Sequence, residues 1–296
     1  MQRPQRFASI VVSGRGARVL ALAVLTSLGS IAHAETQSSA PPAEATTPPA
    51  QATTPPAQAA EGAAKPELKP FREEIKGTTL AVEMVPVVPA DGSKPFYIAK
   101  FETSWDLYDV FLFGFDKDKP GGSTPESDAV TRPSKPYISM DRGFGHAGYP
   151  VISTSYLGAK KFCEWLSVKT GKPFRLPTVK EFQTACALGA IPKDAIGDHA
   201  WSAENSSAKT QPLGSKKPDA LGVHDLLGNA SEWCTAEDGK GVTMGGTFKD
   251  PAADLRCDRI VPYSPDWNAS DPQFPKSRWW LADGGFVGFR VVCDLH

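Results

Sequence analysis

Three stretches carry apolar residues at helical spacing. In STSYLGAKKFCEWLSVKTG, Ala159, Phe162, Cys163 and Leu166 recur at i, i+3, i+4 and i+7 between Ser and Thr caps and Gly171. That spacing predicts a helix with Cys163 on its buried face. In RLPTVKEFQTACALG, Thr178 and Glu181 form a capping box, and Phe182, Ala185 and Cys186 share one stripe before Gly189. A third helix is predicted over TSWDLYDVFLFG, capped by Ser104, with Leu107, Tyr108, Phe111 and Leu112 as its buried side.

Strand signals are brief. PFYIAKFET and GFVGFRVVC are rich in aromatic and β-branched residues and are bounded by Gly or Pro. From Ile191 onward long loops dominate, which makes bound ions or disulfides useful as staples. The pattern predicts an α+β fold, with helices in the first half and an irregular, Gly-rich and Trp-rich second half.

The N-terminus has a different pattern. Arg3, Arg6, Arg15 and Arg18 precede an apolar run over Val19–Ala32, and Ala32-His33-Ala34 fits a cleavage site before Glu35. Residues 1–34 therefore read as a secretory signal peptide, which predicts a periplasmic or secreted protein. The run is shorter than the roughly 20 apolar residues a membrane span needs. No other long apolar run occurs, so no membrane span is expected once the signal is removed. Residues 35–70, where ATTPPAQ repeats, lack large apolar side chains and read as a disordered, proline-rich tether. Residues 71–296 then form one domain with enough Trp and Phe for a core.

The formal net charge of −1 becomes more acidic when the leader's arginines are removed, so the domain has no electrostatic footprint for nucleic acid. All five cysteines lie after residue 160. In an oxidising compartment they predict disulfides with one thiol left over, and five buried thiols are the alternative.

Most motif-like stretches fail on chemistry. Gly143, Gly145 and Gly148 spell G-x-G-x-x-G, but Tyr149-Pro150 follows where a helix must open. DKDKPGG from Asp116 starts like a calcium loop, yet Pro120 and Ser127 occupy ligand positions. The histidines show no paired metal spacing, and no G-x-S-x-G exists. DLLGNASEWC is different. Asp225 and Glu232 could supply carboxylates to calcium, with the carbonyls of Gly228 and Ala230 turned inward by the Gly-Asn step. The same acids could instead bond backbone N–H groups in a turn.

Several segments together resemble the formylglycine-generating enzyme, or sulfatase-modifying factor, family. They are YIAKFETSW, FRLPTVKEFQTAC, DLLGNASEWC, MGGTF and the terminal VGFRVV, in the family's order from Tyr97 to Val292. The resemblance implies a compact, loop-rich α+β fold related to C-type lectins. It also implies structural calcium held by Asp225, Gly228, Ala230 and Glu232. A second calcium loop near Asn205-Ser206 is not expected, because the segment that follows lacks the required aspartate.

The same resemblance defines a departure. Oxidase members place a cysteine pair after G-G-S, binding copper(I) through soft thiolates. Here Asp250 stands at the first position and Leu255 near the second, and Ser231 replaces the first Trp of W-E-W. Copper is not expected. The resemblance pairs Cys163 with Cys293 and Cys186 with Cys257, leaving Cys234 free. The favoured reading is a calcium-stabilised, non-oxidising module that binds an extracytoplasmic protein, peptide or glycan. The alternative is an active, oxygen-dependent oxidoreductase of the superfamily, of the formylglycine-generating or the non-haem iron type, and whether the chain is an enzyme stays open.

Overall fold

The computed structural model describes residues 68–116 and 132–295. The expected leader and nearly all of the expected tether lie outside them, as does the loop after Asp116. Strands β1 (Phe71–Glu74), β2 (Ala81–Val87) and β3 (Phe96–Ala99) form an antiparallel meander. The last strand, β9 (Val292–Asp294), pairs with β3 and with the short β4 (Phe174–Arg175), giving the order β1-β2-β3-β9-β4. A second sheet has the order β7-β6-β5-β8, built from β5 (Ser231–Thr235), β6 (Gly241–Met244), β7 (Val261–Pro262) and β8 (Val287–Gly288). Its β5 and β8 run parallel.

The predicted helices form where local signals are strongest. Helix α1 (Trp105–Phe113) starts at Ser104, whose Oγ accepts from the Leu107 N–H, and stops at a left-handed Gly114. Its buried side includes Trp105 and Val110, whereas Leu107 is only partly buried, because Trp105 stacks against Trp280. Helix α2 (Tyr156–Thr170) runs from Ser155 to Gly171 and buries the expected stripe. Helix α3 (Val179–Gly189) carries the Thr178–Glu181 capping box and ends one residue later than expected, at Ala190 in the left-handed region. A single turn, α4 (Ile196–His199), follows.

The expected strand GFVGFRVVC is two strands in two sheets. Val287–Gly288 joins β5, Val292–Asp294 joins β3 and β4, and Phe289 to Val291 cross between them. Both faces of the inner strands β2, β3 and β9 carry buried side chains. Val82, Met84, Ala99 and Cys293 face the aromatic core of α1 and α2, while Val85, Ile98 and Val292 face Phe182 of α3 and Met244 of the second sheet. Alternation of side chains along each strand produces this division.

Cys186 on α3 is bridged to Cys257, with Cα atoms 5.6 Å apart. Cys163, Cys234 and Cys293 are buried free thiols. The expected Cys163–Cys293 bridge is therefore not formed. Both thiols line the same core, but Cys293 Sγ turns along its own strand and donates to the Asp294 carbonyl at 3.5 Å. Among the described residues no helix is long and apolar enough to cross a membrane.

Candidate functional site

DLLGNASEWC begins as a tight turn and ends as strand β5. Gly228 sits at φ +79, where a Cβ would lie 2.2 Å from the Trp201 carbonyl oxygen, so only glycine permits this approach. Asn229 donates through its N–H to that carbonyl, and its side-chain amide donates to Glu102 at 2.7 Å. Glu102 also accepts from the Ala230 N–H at 3.0 Å. Asp225 Oδ2 accepts from the Gly214 N–H, while its buried Oδ1 has no partner.

Glu232 is completely buried and meets Arg290 at two points, with distances of 2.7 Å from Nε and 2.6 Å from Nη2. The same guanidinium donates to the carbonyls of Ala99 and His224. Only Glu232 bonds this buried arginine, while the charges of Glu102 and Asp225 act on it from nearby. Burial, then the Asp225 and Glu232 charges, pushes the Glu102 carboxyl well above its ordinary value.

These residues do not fit the expected calcium set as they stand. The ion needs six to eight oxygen donors, and both oxygens of Glu232 are held by Arg290. Among the described residues no group of three or more His, Cys, Asp or Glu side chains could hold a metal. The turn itself is hydrogen-bonded and is anchored by a buried ion pair.

After β6, Gly246 takes φ +75, with Leu255 so close that a Cβ would meet its Cδ2 at 2.5 Å. Leu255 is buried in the core that contains α3. Asp250 Oδ2 accepts from the Thr247 N–H and hydroxyl, both at 2.8 Å, and Oδ1 accepts from Arg259 at 2.7 Å. Arg259 keeps a buried Nη1 without a partner.

A cleft of about 1340 Å³ opens nearby. Its walls are the first turns of α2 and α3, the β5–β6 turn, and the segments around Tyr263 and Arg278. Tyr156, Trp233 and Tyr263 give it an aromatic side. The Trp233 indole N–H donates to the Thr154 carbonyl, which fixes the ring against the wall.

Residues 36–295 match the sequence profile described as the sulfatase-modifying factor enzyme 1-like domain. The chain belongs to this family. Its fold is also that of two solved structures, the Treponema denticola variable protein 1 (TM-score 0.54, 18% identity, 77% of this chain and 100% of that one) and PvdO from Pseudomonas aeruginosa (TM-score 0.51, 21% identity, 78% and 100%). Among curated relatives, the serine/threonine-protein kinase pkn1 of Chlamydia pneumoniae is 29% identical over 137 residues, 38% of this chain and 21% of the kinase. The chaperone protein LppX of Paenibacillus barcinonensis is 42% identical over 48 residues, 16% of this chain and 17% of that protein. The matched stretches span about a fifth of these relatives.

In this sulfatase-modifying factor domain the positions that the resemblance assigns to the copper thiolates carry one hard carboxylate, already paired, and one buried aliphatic side chain. They do not fit copper(I). Cys186 and Cys257 are bridged to each other, and the free thiols of Cys163, Cys234 and Cys293 are all buried. Sequence reasoning assigned no role to Glu102, Asn229, Arg259 or Arg290. Arg290 had a readable signal: a charge inside the apolar run GFVGFRVV must find a partner when buried.

Proposed function

We propose that the chain is an exported, non-oxidising member of the sulfatase-modifying factor family that binds a ligand outside the cytoplasm. The observation that carries this reading is the ion pair of Asp250 with Arg259, capped by Thr247, beside a buried Leu255. No soft-ligand side chain occupies that place, and an aromatic cleft is accessible. The arginine-rich start, apolar run and Ala32-His33-Ala34 site support export. The fit of Glu232 to Arg290 leaves calcium out of the proposal.

The test is aerobic incubation of copper-loaded protein with a peptide bearing Cys-x-Pro-x-Arg, followed by mass spectrometry. The expected result is an unmodified cysteine. Conversion of that cysteine to an aldehyde would replace the binding reading with the oxidoreductase one.

A further inference from the structure

We infer that the cleft and the adjoining Asp271–Ser277 loop form one docking surface for a linear, acidic and apolar segment of a protein partner, with Arg278 as the carboxylate anchor. The inference rests on the ligand-binding reading and specifies its ligand.

The loop is braced from several sides. Asp271 accepts from Tyr137 OH at 2.9 Å, the Gln273 N–H at 3.0 Å, the Ser277 N–H at 2.7 Å and the Asn268 amide at 3.3 Å. Lys276 Nζ holds the carbonyls of Asn268 and Ala269, each at 2.7 Å. At the tip of this fixed loop Phe274 is fully exposed, at 101%. Tyr137 and Ile138, both 41% exposed, lie on the segment bonded to Asp271. A phenyl ring held in solvent by a braced loop is apolar area that a partner covers with gain.

The loop runs directly into Ser277 and Arg278, which line the cleft. The Arg278 backbone is pinned, because its carbonyl accepts from Ser155 Oγ at 2.6 Å. Its exposed guanidinium has no partner among the described residues. The other cleft cations are engaged: Lys240 pairs with Asp238 and Lys180 with Asp91. Glu237, on the β5–β6 turn, is the remaining unpaired charge of the lining. A partner's carboxylate therefore belongs at the Arg278 end.

Size and chemistry favour a polypeptide. Small-molecule sites occupy about 300–1,000 Å³, and this cleft is larger. Branched aliphatics such as Val242, Ile260 and Leu281 share its walls with the aromatic rings. A small ligand in the cleft would also leave Phe274 uncovered.

Three fluorescein-labelled peptides test this on the full chain: one of leucine, phenylalanine and glutamate, and two with lysine or glutamine in place of glutamate. An oligogalacturonate is the carbohydrate arm. The glutamate peptide should bind about tenfold more tightly than the lysine peptide at low salt, and Arg278→Glu should erase that preference. Glu237→Gln should not weaken it, and Phe274→Ala should weaken all the peptides. Arg278 and Phe274 are exposed and bury nothing, so these variants fold if the wild type does. Equal binding of the glutamine and glutamate peptides, insensitive to Arg278, would overturn the acidic specificity and keep the binding reading. Preference for the oligogalacturonate would overturn the polypeptide assignment. Binding of none of the probes would overturn the inference, while the aldehyde assay judges the broader reading separately.

Discussion

Arg290 and Glu232 join the two sheets through a two-point ion pair from which water is excluded. The arginine lies on the crossing between β8 and β9, the glutamate on β5, and the Ala99 carbonyl of β3 accepts from the same guanidinium. Removing one partner of such a pair leaves an uncompensated charge and typically costs about 3–5 kcal/mol. Arg290→Met and Glu232→Gln are each expected to destabilise by that amount in urea denaturation. The double variant should lose less than the sum of the two. Additive losses would show that the residues act independently.

The pH dependence of stability follows from Glu102. Burial, then the Asp225 and Glu232 charges, raises its folded-state carboxyl well above the ordinary 4.5. A group raised on folding contributes stability that is fully present below its unfolded value and lost as pH rises through the folded one. Glu102→Gln does not titrate. The stability advantage of the wild type over this variant should therefore shrink as pH rises above about 4.5. Urea titrations across pH showing a constant difference would contradict the assignment.

Arg175, which contacts both Glu181 and Asp294, contributes to the acid side. Its guanidinium holds the Asp294 carboxyl below the usual range. Because that pKa is lowered on folding, its contribution is present above about 3.8 and is lost as pH falls through the folded value. Arg175→Met should remove this part of the acid sensitivity, read as a smaller loss of stability between neutral and acidic buffer.

The Cys186–Cys257 bridge closes a loop across 71 positions. Its reduction should cost about 2–5 kcal/mol. Thiol titration of the non-reduced, denatured protein should find Cys163, Cys234 and Cys293 free. Only one free thiol would mean that a second bridge had formed between the buried thiols.

Calcium provides a direct comparison between resemblance and geometry. An ion that binds only the folded state at a hundredfold excess over its Kd stabilises by about 2.7 kcal/mol. With Glu232 held by Arg290, the melting temperature should be the same in calcium and in chelator. A rise in calcium would mean that the ion displaces the guanidinium from the carboxylate.

Helices α2 and α3 were legible because their caps, stripes and stops are all local. β1 and β2 were not assigned, since the buried positions of AVEMVPV alternate over only part of its length and are interrupted by Pro86. The division of GFVGFRVVC could not be read from the segment alone, as it depends on partners far along the chain. At the site the acids Asp225 and Glu232 stood out as charges beside Trp233. What each carboxylate bonds is decided by distant partners, Gly214 for Asp225 and Arg290, 58 positions away, for Glu232. The cleft was hidden for a related reason: its walls come from five separate segments, none with a pattern of its own.

The position of β9 has a further consequence for how the chain is made. It lies between β3 and β4, so the five-stranded sheet lacks the strand that joins these two until Val292–Asp294 has been synthesised. During elongation the meander would wait with an open edge, and both hydrophobic layers on either side of it would stay incomplete. A ribosome that stops short of Val292 releases a chain whose β3 and β4 have no strand between them and whose core lacks Val292 and Cys293.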